Sequence, residues 1–304
     1  MFTVGMSLPA VFGTDVPKGN YADLTTKGFE LSVSWRDQFQ LASKPFNYEV
    51  RFTLADYQST IDKYNNPEKK LGDDYYYEGM KVGEIWGYET EGFFTSQADI
   101  DSHAKQPYFY AGATAGQWLP GDIKFKDLNG DGVIDYGNNT VDNPGDQKII
   151  GNSEPRFIYG INLSGDWNNF FVSAFFQGVG KQDWWPGSEA SYFWGMYNRP
   201  YNDMPKSHLG NIWTEENPNT YFPRLRGYSS EEPYAELNLK QTRYLQNIAY
   251  IRMKNIQLGY TLPKSFISKL RMQNAKVYVS GENLWSWSPF YKYSKDLDVE
   301  AVRG

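Results

Sequence analysis

The chain has 304 residues, a formal net charge of −6 and no cysteine. The lack of cysteine excludes disulfides, thiol nucleophiles and thiolate metal sites, and the acidic balance argues against a nucleic-acid binder, which needs a basic surface. Aromatic residues make up 17% of the chain, but no apolar run approaches the ~18 residues of a membrane-spanning helix. A helical membrane protein is therefore excluded, whereas strands that alternate apolar and polar residues are not.

Strict alternation predicts a first hairpin. In residues 29–36, Phe29, Leu31 and Val33 share one face with Trp35, and polar residues occupy the other face. The same period of two returns in residues 48–54. One face of these strands suits lipid and the other suits water, so we expect the two strands to pair.

Two more pairs of strands follow the same rule. The second pair is predicted over residues 157–165 and 170–179, with a tight turn at Asn168 and Asn169 because Asn tolerates positive φ. The third pair covers about 245–262 and then 275–283. Pro263 closes the earlier strand of this pair, since proline has no donor for the ladder.

Long connections separate the three hairpins, at about residues 58–155 and 181–245. Such lengths are unusual inside a compact soluble domain, whereas transmembrane barrels combine short turns on one side with long loops on the other. The predicted fold is all-β, an antiparallel transmembrane β-barrel segment with long extracellular loops. The pattern alone leaves a soluble β-sandwich with large insertions as the alternative.

The first long connection contains an Asp-rich loop that runs from Asp127 to Asp135. It matches the first nine positions of an EF-hand-like calcium loop, but position twelve is Asn138 instead of a bidentate Glu. A carboxylate from elsewhere, Asp146 or Asp142, would have to complete the shell. The alternative is an Asx-rich turn held by its own side-chain bonds. We expect structural Ca²⁺, with ligands Asp127, Asn129, Asp131, Val133 (through its carbonyl), Asp135 and Asp146.

The second long connection is crowded with aromatic residues. Flat rings with polar edges suit stacking on sugars or packing against a protein partner. The alternative is that these rings fold the loop onto itself or onto the barrel rim. The predicted ligand or partner contacts are Trp184, Trp185, Trp194, Tyr197, Asn198 and Arg199.

No enzymatic motif stands out. His103 and His208 are the only histidines, and neither lies in a metal-binding spacing. A nucleophile elbow, a Walker loop and a dinucleotide fingerprint are all lacking. We therefore expect a protein that is not an enzyme.

Several segments together resemble the C-terminal barrel region of the TonB-linked outer-membrane transporters of the SusC/RagA family. They occur in the family's order and cover the chain from about Asp15 onward. The segments are KGFEL at 27–31, GDIKFKDLNGDG at 121–132, KIIGN at 148–152, PRFIYG at 155–160, YIRMKNIQLGYTLP at 250–263 and YVSGENLW at 278–285.

The resemblance implies a component of an importer in the outer membrane of Bacteroidetes-type bacteria. The family's barrel has about 22 strands, and it takes up glycans or peptides. It works with a SusD-like surface lipoprotein and with TonB, which acts through an N-terminal region. Which ligand is carried, sugar or peptide, stays open at this stage.

The chain also departs from the family pattern. It shows no plug domain, TonB box or N-terminal signal, and it ends before the family's final strand, so residues 1–304 are expected to be the C-terminal portion of such a barrel. About six predicted membrane strands are too few to close a pore. The alternative function is a soluble, calcium-stabilised carbohydrate-binding β-sandwich module.

Overall fold

A computed structural model describes residues 3–4, 18–19, 22–106, 118–199, 201–226, 230–231 and 235–302. In these ranges, none of the helices has both the length and the apolar character needed to cross a bilayer. The centre of the structure is a six-stranded antiparallel sheet, and the long segments between its hairpins fold above one end of it.

The strands are β1 Thr3–Val4, β2 Lys18–Gly19, β3 Asp23–Leu41, β4 Lys44–Lys63, β5 Glu84–Tyr88, β6 Thr90–Phe93, β7 Ile123–Phe125, β8 Gln147–Asn152, β9 Arg156–Trp167, β10 Phe170–Lys181, β11 Asp183–Trp184, β12 Gln246–Asn247, β13 Tyr250–Thr261 and β14 Lys276–Trp287. The α-helices are α1 Gln97–Ser102, α2 Ser191–Trp194 and α3 Lys264–Ile267, and 3-10 turns occupy Gly195–Tyr197, Lys206–His208, Ser268–Leu270 and Pro289–Lys292.

The large sheet has the order β14-β13-β10-β9-β4-β3, and the four remaining pairs are β1-β2, β5-β8, β6-β7 and β11-β12. The three predicted hairpins are therefore present, in the predicted pairs. Their strands are longer than predicted: β3 and β4 have 19 and 20 residues, far more than the ~10 that cross a bilayer. The strand predicted from about residue 245 begins at Tyr250.

Two of the hairpins have two-residue turns. Ala42 and Ser43 join β3 to β4, and Asn168 and Asn169 join β9 to β10; all four residues have positive φ. Two successive residues with positive φ form a hairpin turn whose twist matches that of the flanking strands. The third connection, residues 262–275, contains α3 and lies at the same end of the sheet.

The register of the hairpins shows that the strands are tilted. Leu41 pairs with Lys44 at the first turn, and Trp167 pairs with Phe170 at the second. Trp167 also lies opposite Phe46, two residues from Lys44. The second hairpin, two strands along the sheet, is therefore shifted by two residues relative to the first. This shift corresponds to a strand tilt of about 35°, which is the tilt of strands in closed barrels.

One face of the sheet is almost entirely apolar. Directly paired residues point to the same side, so the ladder pairs define rows such as Val33, Phe52, Ile161, Phe176, Met253 and Trp285. Along β3 this face runs from Phe29 to Phe39, with Asp37 as its one charged residue, and at ~3.3 Å per residue and a tilt of about 35° it spans about 27 Å. That height matches the apolar band of an outer-membrane barrel, about 25 Å.

Large side chains on this apolar face are exposed. Trp35 is 62% exposed and Val279 is 70% exposed. In the described ranges no second sheet packs on the face, so the β-sandwich alternative is wrong. The row of residues beside the turns is aromatic, as in an interfacial girdle: Phe39, Phe46, Trp167, Phe170 and Tyr260.

The opposite face is polar over most of its length. We call it the luminal face, because in a barrel it lines the interior. Arg36 and Glu49 form an ion pair across β3 and β4, at 2.9 Å, and Asn47 Nδ2 donates to Asp166 Oδ2 at 2.8 Å. Such a surface favours water over lipid.

The two long connections, where the structure describes them, are folded. Together with residues 288–302 they form what we call the outer cap, which contains β5 to β8, β11, β12, α1 and α2. A dry core, to which Val179 and Tyr250 of the large sheet also belong, holds the cap together through the buried residues Tyr88, Ile123, Phe125, Ile134, Trp184, Phe193, Trp194, Tyr197, Phe222, Leu237, Tyr244, Ile248, Phe290 and Val299.

Leu163 and Ser164 test the assignment of the two faces. Leu163→Arg places a charge on the apolar face near mid-band, and we expect it to destabilise the intact membrane-inserted protein by about 2–4 kcal/mol. Ser164→Arg, the next residue on the luminal face, is the matched control and should have little effect. Thermal unfolding in detergent micelles measures both, and equal effects of the two substitutions would contradict the assignment.

Candidate functional site

The outer cap lies on the luminal side of the sheet. At the outer ends of the strands, Val179 pairs with Tyr250 on the luminal face, and both side chains are buried in the core of the cap. Ile61, on the same face of β4, is buried against Leu71 and Tyr77. The luminal face therefore changes from polar to apolar where the cap covers it, and the cap stands over the interior of the barrel.

The segment after β14 also lies on the luminal side. Arg252, which pairs with Gln177 on the luminal face, donates to Glu300 Oε2 at 2.7 Å and also binds Asp298. Lys254 adds a contact to Glu300 at 2.9 Å. These ion pairs fasten residues 298–300 to β13.

A buried ionic cluster joins two distant parts of the cap. The carboxylate of Asp122 is fully buried and accepts hydrogen bonds from Arg224 Nε at 2.7 Å and from Arg226 Nε at 2.8 Å. Glu236, also fully buried, accepts from the backbone N–H of Ile123 at 2.9 Å. Burial raises the pKa of Glu236, and the neighbouring charge of Asp122 adds to this effect. The cluster fixes β7 against Arg224, Arg226 and Glu236.

The Asp-rich loop holds itself in place through backbone hydrogen bonds. Asp127 accepts from the N–H groups of Gly130 and Gly132, at 2.6 and 2.9 Å, and both glycines have positive φ. Asn129 Oδ1 accepts from Asp131 N, and Asp131 Oδ1 accepts from Val133 N. This is a series of Asx turns.

Asp146 closes the same loop from outside, as the predicted completing carboxylate should. It is fully buried and accepts from the N–H groups of Leu128 and Asp135, at 2.6 and 2.9 Å. Burial raises the pKa of Asp146, and the charge of Asp127 contributes further. Among the residues that the structure describes, no three His, Asp or Glu side chains converge as a metal cluster. The carboxylate oxygens of the loop retain free lone pairs. The calcium site stays a prediction.

Most of the aromatic residues predicted to contact a ligand are packed inside the cap. Trp194 and Tyr197 are fully buried and Trp184 nearly so. Trp194 stands edge-on to Tyr244 with ring centroids 5.2 Å apart, and its Nε1 donates to Pro186 O at 2.7 Å. Tyr197 donates its hydroxyl to Pro223 O at 2.5 Å. Because these rings contact protein and not solvent, the structure gives them a packing role.

The remaining predicted residues lie closer to the surface. Trp185 is half-buried beside Trp194, Arg199 is exposed, and Asn198 donates to Ser188 O and to Glu231 Oε2. Burial raises the pKa of Glu231 to about 8. Ligand contact by this surface stays a prediction.

Sequence reasoning missed a cleft in the outer cap. It has a volume of about 580 Å³ and lies between residues 71–88, the segment 136–147 after the Asp-rich loop, and residues 238–240. Tyr75, Tyr77, Trp86 and Tyr136 line it together with amide side chains. Its parts are far apart in the chain, so no local motif marks it.

Glu231 gives the cap a pH dependence that can be measured. Its folded pKa of about 8 lies above the ordinary 4.5, so its contribution to stability is complete at low pH and falls as the pH rises through that interval. We expect Glu231→Gln to flatten the decline of the unfolding temperature between about pH 5 and 8. Exposed Glu216→Gln is the control, and an unchanged slope in Glu231→Gln would contradict the prediction.

No family model matches the chain, but curated relatives cover nearly all of it. The chain is 26% identical over 299 residues to TonB-dependent receptor P3 of Formosa agariphila, which covers 93% of this chain and 26% of that protein. TonB-dependent receptor P26 of the same organism is also 26% identical, over 94% of this chain and 27% of its own length. The chain thus spans about a quarter of these relatives, and their names describe receptors, not enzymes.

Solved structures agree on the fold. The RagAB peptide importer in its open-open state superposes with a TM-score of 0.62 and 19% identity, over 100% of this chain and 29% of that one. The RagAB peptide transporter gives a TM-score of 0.61 at 18% identity, over 94% and 28%. The resemblance to the TonB-linked transporters of the SusC/RagA family is thus confirmed, and the chain is a relative of TonB-dependent receptors that forms part of an outer-membrane β-barrel.

Proposed function

We propose that the chain is part of the wall and outer cap of an outer-membrane nutrient importer. The observation that carries the proposal is the sheet with one apolar and one polar face, whose polar face is covered by a folded cap only at its outer end. A solute that passes the cap meets a hydrated wall, while the other face meets lipid.

The proposal requires a larger barrel than the six strands described. Strands β3 and β14 each have a neighbour on one side only within that sheet, and unpaired edges are not stable in hydrocarbon. The greater length of the relatives supports further strands. In this proposal the complete protein includes a plug that TonB engages, and a SusD-like lipoprotein covers the cap.

The proposal also concerns the class of nutrient, glycan or peptide, that is taken up. The names of the solved neighbours state peptide import, and this supports nutrient import in general. Glycan uptake is our proposal for this chain, and peptide uptake is the second candidate. The soluble carbohydrate-binding module has no support from the exposed apolar band.

Single cysteines test the proposed passage, because the chain has none of its own. Ser173→Cys lies on the luminal face and Val172→Cys on the apolar face, one residue away. We expect a bulky, membrane-impermeant maleimide to label Ser173→Cys in intact outer membranes and to block uptake of the nutrient, measured by growth on it. Val172→Cys should neither react nor block, and block by neither variant would count against the passage.

We further propose that Ca²⁺ binds the Asp-rich loop in a structural role. Two features support this: Asp127, Asn129, Asp131 and Asp135 have the spacing of a calcium loop, and Asp146 is buried near the charge of Asp127, a repulsion that a cation would relieve. The loop's own hydrogen bonds would then orient the ligands. The segment after the loop contributes Tyr136, Asn139 and Gln147 to the wall of the cleft.

Calcium removal tests this site. We expect calcium to raise the unfolding temperature of the cap and to protect residues 127–146 from proteolysis in the wild-type protein. Asp127→Asn and Asp131→Asn should lose both effects, while Asp74→Asn, an exposed residue elsewhere in the cap, should keep them. Identical behaviour of all proteins with and without calcium would leave the loop as a self-contained turn.

A further inference from the structure

The cleft in the outer cap is placed to meet a solute before it enters the barrel. Its floor includes Leu71, Tyr77 and Met80, which are also packed against Ile61. Ile61 belongs to the luminal face of β4, beyond the apolar band, as its pairing with Leu24 shows. The cleft therefore lies outside the membrane region and on the side of the passage.

Aromatic rings give the cleft flat apolar surfaces. Tyr75 is 47% exposed and Tyr136 is 38% exposed, so both present ring area to solvent. Deeper in, Trp86 Nε1 donates to the hydroxyl of Tyr77 at 3.3 Å, and that hydroxyl donates to Glu84 Oε2 at 2.5 Å. These bonds fix the two inner rings, and fixed rings bind with little loss of side-chain entropy.

The lysine of the cleft has a carboxylate partner, whereas the hydrogen bonds of Glu84 come from neutral donors. Glu84 accepts from Tyr77 and, through Oε1, from the backbone N–H of Lys81 at 3.1 Å. Lys240 forms an ion pair with Asp73. Among the described residues that line the cleft, no lysine or arginine is left without a carboxylate partner, so an anionic ligand finds no free cation there.

Neutral polar groups complete the lining. Asn139 donates to Leu71 O at 3.0 Å and Asn238 donates to Glu231 O at 3.4 Å, and each amide has remaining hydrogen-bonding capacity. Rings that can stack, amides that can bind hydroxyl groups and the lack of an unpaired lysine or arginine suit a neutral sugar, which has apolar faces and a polar rim. A peptide suits this lining less well, because its C-terminal carboxylate finds no unpaired cation there.

We propose that the cleft is a binding site for a neutral oligosaccharide, with Tyr75 as its exposed stacking platform. The inference rests on the proposed importer function and names the substrate class of that function. It assigns capture to the outer cap itself, separate from the luminal wall.

Binding to the purified intact protein in detergent tests the inference, by titration calorimetry with a panel of neutral oligosaccharides and a panel of short peptides. We expect at least one oligosaccharide to bind and Tyr75→Ala to weaken it about tenfold. Tyr75→Phe keeps the ring and should keep the affinity. Tyr192→Ala removes an exposed ring of the cap that does not line the cleft and is the matched control.

Binding is measured without transport, so the two proposals can fail separately. Oligosaccharide binding that depends on Tyr75, in a protein whose deletion leaves nutrient uptake unchanged, would overturn the importer function alone. Peptide binding without oligosaccharide binding, no binding from either panel, or saccharide affinity unaffected by Tyr75→Ala would overturn the assignment of the cleft.

Discussion

Every other feature of this chain depends on one constraint: in hydrocarbon, backbone N–H and C=O groups can be satisfied only by each other. Six long antiparallel strands meet that requirement through their ladders, except at the outer edges of β3 and β14. Strict alternation then sorts side chains, with Phe29, Leu31 and Val33 on one face and Glu30, Ser32 and Ser34 on the other. A slip of one residue in any strand would exchange these faces. The register of each strand therefore determines which of its side chains face lipid.

Above the membrane the constraint changes, because water can satisfy the backbone. There the side chains of the luminal face are apolar and pack against the cap. Ile61, Val179 and Tyr250 make these contacts. The cap consequently shares its core with the sheet. It is held further by ion pairs such as Arg252 with Glu300. A cap built in this way is positioned by the strands and not by flexible tethers.

The sequence allowed the membrane strands to be predicted because their signal is local. Alternation needs only a short window, and Asn168 with Asn169 needs only each other to form a turn. The cap could not be predicted in the same way. The bond from Ile123 to Glu236 joins residues 113 positions apart, and the cleft combines Tyr75 with Asn139 and Lys240. The aromatic run near Trp194 was visible, but whether rings face a ligand or a core depends on such distant partners.

The buried charges of the cap explain why its shape is defined. Asp122 without its two arginines would be an unpaired buried carboxylate, so alternative packings of Arg224 and Arg226 against β7 carry a large desolvation cost. An apolar core alone tolerates several arrangements of similar volume. By fixing one arrangement, the cluster around Asp122 fixes β7 and the segment that leads to Asn238 and Lys240. The cleft wall is thereby fixed by contacts within the cap, and a fixed wall is what the proposed binding of an oligosaccharide requires for a low loss of entropy.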